Sequence, residues 1–148
     1  TFIPFNTDRT RTKGAEVSLA LRPVDGWSVS TAYSYLHARD RSPGSANLGK
    51  ALPRRAANAA SVSVDRDWSF GLSAGATLTH VGDSFDNAAN TRRLDGYLLV
   101  GLRASFAIGR NVELYGRVDN LFDEEYTTAF GYGTIGRAVY AGIRVKFD

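Results

Sequence analysis

Trp68-Ser69-Phe70-Gly71-Leu72-Ser73-Ala74-Gly75-Ala76-Thr77-Leu78-Thr79-His80 decides how the chain is read. Trp68, Phe70, Leu72, Ala74, Ala76 and Leu78 fall on one parity, and Ser69, Gly71, Ser73, Gly75, Thr77 and Thr79 on the other. Successive side chains of a strand point to opposite sides, so a period of two over this length marks a strand with one apolar and one polar face. A helix would scatter the same residues around its circumference.

Outward from this stretch the same alternation returns in Gly14–Arg22, Trp27–Ala38, Ala56–Asp65, Leu94–Phe106, Val112–Asn120 and Arg137–Phe147. That makes seven strands, and Thr1–Asn6 is read as the end of an eighth. The connections alternate in length. Pro23–Gly26, Asp65–Asp67 and Ala107–Asn111 are short and rich in turn residues, whereas the segments near 40–53, 84–93 and 123–136 are long and polar. The expected fold is therefore all-β: an antiparallel up-and-down meander with a short-turn end and a long-loop end.

Strand length and aromatic placement decide which solvent the apolar face meets. Several alternating runs reach about 11–13 residues, beyond the usual ~5–6 of soluble strands and near the ~9–11 of a tilted membrane strand. Trp27, Trp68, Phe106 and Phe147 fall on the apolar parity at the short-turn end, and Tyr33 and Tyr35 toward the long-loop end. Eight steps from Trp27 to Tyr35 correspond to roughly 20 Å of height at a tilt near 40°, close to the ~25 Å apolar band between the aromatic girdles of a membrane barrel. The other face carries Ser, Gly, Thr, Ala, Glu and Arg, which cannot form a dry core but can line water. A transmembrane β-barrel meander of about 7–8 strands follows. A self-contained eight-strand barrel completed by Thr1–Asn6, with a structural or adhesion role, and a soluble β-sandwich binding module are the alternatives. A closed ring would favour the former, a second sheet the latter.

Composition narrows the function. The 148 residues contain no Cys, which excludes disulfides, thiolate metal sites and a Cys nucleophile. Lys and Arg number 18 against 15 Asp and Glu, too even a balance to argue for nucleic acid. No run of about 18 apolar residues forms a membrane helix. Thr1–Asn6 lacks the features of a secretory signal, and a chain without an initial Met is expected to start at a cut.

Gly131–Gly136 fits G-x-G-x-x-G, but a strand rather than a helix follows, so its glycines are assigned to turns. Asp123, Glu124 and Glu125 read as a solvated loop start. Arg103, Glu113, Arg117, Asp119, Arg144 and Lys146 form a mixed-sign stripe on the polar face, expected to pair with one another. His37 and His80 lack a nucleophile at recognisable spacing, so no catalytic residue, metal or cofactor is assigned. Arg54, Arg55, Arg92 and Arg93 at long-loop ends suit the phosphates of lipopolysaccharide or an anionic ligand. Tyr126, Phe130 and Tyr132 are ligand-contact candidates in the last long loop.

Val118-Asp119-Asn120-Leu121-Phe122-Asp123-Glu124-Glu125-Tyr126, then Gly131 to Arg137, then a final strand ending at Phe147 resemble the C-terminal barrel of TonB-dependent outer-membrane receptors. Thr12-Lys13-Gly14-Ala15-Glu16-Val17, Ala32–Ala38 and Leu52-Pro53-Arg54-Arg55 are similar to earlier strands of that family. The branch of vitamin B12 and siderophore receptors is the nearest in character. Ile135 stands where the family often has Pro, and Asp148 follows the terminal aromatic. The resemblance implies residues 1–148 as the C-terminal segment of a barrel of about 22 strands, with the plug domain absent from this chain. It implies a Gram-negative outer-membrane location and import of cobalamin or a ferric siderophore. It also implies contact with TonB through the missing N-terminal part, and no enzymatic activity. Val139, Ala141, Ile143, Val145 and Phe147 would form the signal read by the barrel-insertion machinery.

Overall fold

The computed structural model describes residues 9–147. The strands are β1 (Thr10–Leu21), β2 (Trp27–Asp40), β3 (Asn58–Asp67), β4 (Leu72–Val81), β5 (Ser84–Phe85), β6 (Arg93–Leu94), β7 (Tyr97–Ile108), β8 (Val112–Asp119) and β9 (Ala138–Val145). Seven of them form one antiparallel sheet in the order β1-β2-β3-β4-β7-β8-β9. The short β5 and β6 make a separate hairpin within the β4–β7 connection. No helix occurs among the described residues.

The register keeps the two chemistries apart. Thr31, Val62, Leu78 and Val100 form one continuous row across β2, β3, β4 and β7. Leu72, Phe106, Leu114 and Ile143 form another across β4, β7, β8 and β9. One slipped residue would put half of each row on the wrong face. Among the described residues no second layer covers the apolar face. Among the described residues only Ala38 and Leu94 are buried apolar side chains, and none is fully buried. Leu78 is 41% exposed and Ile143 65%. A β-sandwich would bury this face against a second sheet, which the described residues do not do. Nor do β1 and β9 pair, so the described residues form no closed ring. Thr1–Asn6, expected to contribute an eighth strand, lies outside them.

Four expectations need correction. Asp65, Arg66 and Asp67 are strand residues, and the β3–β4 turn is Trp68–Gly71, closed by Gly71 N–H to Trp68 O at 3.1 Å. The cause is local. Asp67 N–H donates to Gly26 O at 2.7 Å, and Arg66 Nη1 to Asp25 O at 2.7 Å. The Arg66 guanidinium also lies over the rings of Trp27 and Trp68, at 5.3 and 5.6 Å. These contacts hold residues 66–67 in the ladder, so Trp68 and Phe70 leave the strand. Leu94 belongs to β6 rather than to the long strand that follows, and it is buried beneath the loops. Phe147 lies beyond β9 and is 92% exposed. Past Val145 the partner β8 has ended; Lys146 N–H donates to Asn111 O at 2.9 Å and Lys146 O accepts Asn111 Nδ2 at 3.1 Å. Finally, β1 starts at Thr10, ahead of the expected Gly14.

Candidate functional site

On the polar face the mixed charges pair with one another. Arg103 donates from Nε to Asp65 Oδ1 at 2.8 Å and from Nη2 to Asp65 Oδ2 at 2.6 Å. Its Nη1 reaches Thr77 Oγ1 at 2.7 Å, and Thr77 shares a hydrogen bond with Ser63 at 2.8 Å. This pair spans from β3 to β7 across Gly75 of β4, where a Cβ would overlap the Asp65 carboxylate. Arg144 pairs with Glu113 at 2.5 Å and Arg117 with Asp119 at 3.3 Å. All are partly exposed, as a water-lining stripe requires.

The last long loop is closed at its base by the residues that carry the family resemblance. Asn120 is buried, and its side chain accepts Glu124 N–H at 2.9 Å while donating to Glu124 O at 3.0 Å. Asp123 Oδ1 accepts the Arg137 backbone N–H at 2.6 Å. A Cβ on Gly136 would come within 2.7 Å of that carboxylate oxygen. The Asn…Asp…Gly-Arg pattern is thus one clasp. Asn120 and Asp123 turn the chain with left-handed backbone, and Gly136 leaves room for the carboxylate to reach the returning strand.

Above the sheet, Asp86 joins the three long loops. Its Oδ1 accepts Arg54 Nε from the β2–β3 loop at 2.9 Å and the Phe130 N–H from the β8–β9 loop at 3.2 Å. The Phe130 amide, and next the Arg54 guanidinium, hold its carboxyl below the ordinary value against the opposing effect of burial. Arg92 lies over the Phe130 ring at 4.6 Å. Asn90 seals the same junction by accepting Ala51 N–H at 2.8 Å and donating to Ala51 O at 2.9 Å.

Of the candidate contact residues, the structure therefore unites Arg54, Arg92 and Phe130. Tyr126 packs against Tyr97 with tilted rings, centroids 4.5 Å apart, at the foot of the same loops. Tyr132 is 72% exposed and, with Glu124, Glu125, Tyr126 and Thr134, lines a cavity of about 510 Å³. Arg93 turns away to Asp83 and Asp95, at 2.5 and 3.1 Å. Arg55 is exposed beside Arg54. Asp86, Asn90 and Tyr97 were missed by sequence reasoning, because nothing in the spacing of a polar loop singles them out.

A single antiparallel layer with an open apolar face, a charge-paired polar face and loops gathered at one end is the wall of a transmembrane β-barrel. The chain belongs to the TonB dependent receptor-like β-barrel family, whose model matches residues 1–121. It is 33% identical over 149 aligned residues to the vitamin B12 transporter BtuB of Photobacterium profundum, covering 99% of this chain. It spans only 23% of that relative's length. The siderophore receptor PiuA of Acinetobacter baumannii superposes with a TM-score of 0.84 at 24% identity, over 93% of this chain and 22% of the receptor. The ferric citrate transporter FecA superposes with a TM-score of 0.83 at 23% identity, over 93% and 24%. These likenesses establish the receptor-barrel fold.

Proposed function

We propose that this chain is part of the barrel wall of an outer-membrane, TonB-dependent receptor that imports a large scarce nutrient. The open apolar face carries this reading. A sheet that leaves Leu78, Leu98, Leu102 and Ile143 uncovered is unstable in water and suits hydrocarbon. Trp27, Trp68 and Phe106 then form the girdle at the short-turn side, Tyr33 and Tyr35 the one toward the long loops, and the loops face outward. Val139, Ala141, Ile143 and Val145 keep the apolar parity along β9, as a terminal assembly signal would. The plug and the segment that contacts TonB belong to other parts of the receptor.

The loop cluster supplies the ligand surface. Arg54, Arg55 and Arg92 offer cationic donors, while Phe130, Tyr126 and Tyr132 offer flat apolar area. Together they match a bulky, partly anionic ligand. The likeness to vitamin B12 transporters supports a cobalamin-type cargo ahead of a ferric siderophore. The test is uptake by a Gram-negative strain lacking its own receptors and expressing the protein that carries this chain. Labelled cyanocobalamin should accumulate only with an intact TonB system. Uptake of a ferric siderophore alone would reassign the cargo, and uptake of neither would remove the transport reading.

A further inference from the structure

On the apolar face of β1 and β2, the chemistry changes abruptly beyond Tyr35. Val17 faces Tyr33 and Ala15 faces Tyr35; the next two pairs on the same face are Lys13 with His37 and Arg11 with Arg39. Arg11, Lys13, His37, Arg39 and Arg41 together line a small cavity of about 130 Å³. No Asp or Glu joins that lining, and none of the five makes an ion pair among the described residues; Arg39 donates only to a backbone carbonyl, Gly49 O at 3.2 Å. The nearest carboxylate along the strand, Asp40, projects to the opposite face and is held by Ser42 N–H at 2.7 Å and Ser45 Oγ at 3.0 Å.

Like charges placed directly opposite each other on neighbouring strands repel. Arg11 and Arg39 form such a pair, and with Lys13 and Arg41 beside them four cations gather at the rim of an otherwise apolar face and call for a counter-anion. We propose that this cluster binds the phosphate groups of a glycolipid headgroup in the outer leaflet; the proposal rests on the membrane reading above. Height argues for this source. At about 3.3 Å per residue, Arg39 lies roughly 13 Å along β2 beyond Tyr35. That is where lipid phosphates begin if Tyr33 and Tyr35 mark the edge of the hydrocarbon. Direction argues for it too, because these side chains share the face of Val17 and Leu19, which would touch acyl chains. A lipid whose tails lie along Val17, Leu19 and Tyr33 would carry its phosphates into the cation cavity. A soluble anion entering through the loops would meet the polar face instead.

The protein that carries this chain, extracted from outer membranes in detergent, is mixed with diphosphoryl lipid A, with lipid A stripped of both phosphates, or with inorganic phosphate alone. Bound mass is read by native mass spectrometry. Diphosphoryl lipid A should be retained at least about tenfold more strongly than the dephosphorylated form, given the several-fold gain expected for each cation near a phosphate. The quadruple variant R11Q/K13Q/R39Q/R41Q should lose that preference, whereas R22Q/R110Q at the short-turn end should keep it. In phosphatidylcholine micelles the quadruple variant should melt no lower than the wild type, since its removed charges only repelled one another. If it does melt lower, the single variant R39Q decides on the same lipid ratio. Equal retention by wild type and variant, or full competition by millimolar phosphate, overturns the proposal. A protein that enters detergent but ignores lipid phosphates overturns the cluster alone. One that stays in the aqueous phase overturns the membrane reading and the cluster with it.

Discussion

Leu78→Arg places a charge where the account puts the centre of the bilayer. Thr31 stands four residues from both Trp27 and Tyr35, and the register carries its level through Val62 to Leu78 and Val100. At about 3.3 Å per residue and a tilt near 40°, that row lies roughly 10 Å from each girdle. An arginine at such depth on the lipid side of a barrel costs about 2–4 kcal/mol, falling to ~0–1 kcal/mol near the interface. Leu72→Arg, in the row of Phe106 at the short-turn girdle, should therefore cost the smaller amount. Thr79→Arg, one residue along but on the polar face, should cost under about 1 kcal/mol, since water solvates the new charge. With a urea dependence of ~1–3 kcal/mol per molar, a 3 kcal/mol penalty lowers the unfolding midpoint by about 1–3 M. The assay is equilibrium urea unfolding in short-chain phosphatidylcholine vesicles, followed by tryptophan fluorescence. Equal penalties at Leu78 and Thr79, or a larger one at Thr79, would refute the assignment of faces.

The polar-face pair yields a coupled result. Asp65→Ala should cost about 1 kcal/mol, discounted for the partial exposure of both partners. Gly75→Ala should cost a similar amount by displacing the carboxylate, so the double variant should fall short of the sum by ~1 kcal/mol; strict additivity in urea melts would show that Gly75 does not act through Asp65. The Asp86 carboxyl is held below its ordinary 3.8, so its contribution is complete above that pH and is lost as pH falls through the lower, folded value. The melting temperature of the wild type should exceed that of Asp86→Asn at pH 6 and converge with it in acid, once pH has fallen past the lowered, folded value. A gap that persists in acid would mean that the charge is not what joins the loops. Gly136→Ala should loosen the base of the last loop, speeding amide exchange at Arg137 while leaving β3 and β4 unchanged. Exchange at Arg137 as slow as in the wild type would contradict the clasp.

The faces of the sheet were legible because a strand's alternation is local and the register preserved it across all seven strands. Strand ends were less so. Trp68 and Phe70 continue the parity of β4, yet contacts made by Arg66 and Asp67 with the neighbouring turn pull them out of the ladder. Arg11 and Lys13 break the apolar pattern, so β1 read as starting at Gly14; the same two cations turned out to stand on the apolar face. The Asn120…Arg137 motif was visible as a family resemblance, but its cause, a carboxylate reaching across a bare glycine, is a contact between residues 14 apart. Asp86 meets Arg54 across 32 residues and Phe130 across 44. No spacing rule reaches that far through loops.

If the sheet lies in a barrel wall, one side of each strand touches lipid and the other water. The chain has no Cys, so single cysteines at positions 72 to 79 of β4 can each carry a nitroxide in a reconstituted bilayer. Collision rates with oxygen, which concentrates in hydrocarbon, and with a water-soluble nickel chelate then report each site's solvent. We expect oxygen to dominate at Leu72, Ala74, Ala76 and Leu78, and nickel at Ser73, Gly75, Thr77 and Thr79. A profile with no period of two, or one with the two sets exchanged, would mean that the apolar face does not meet lipid.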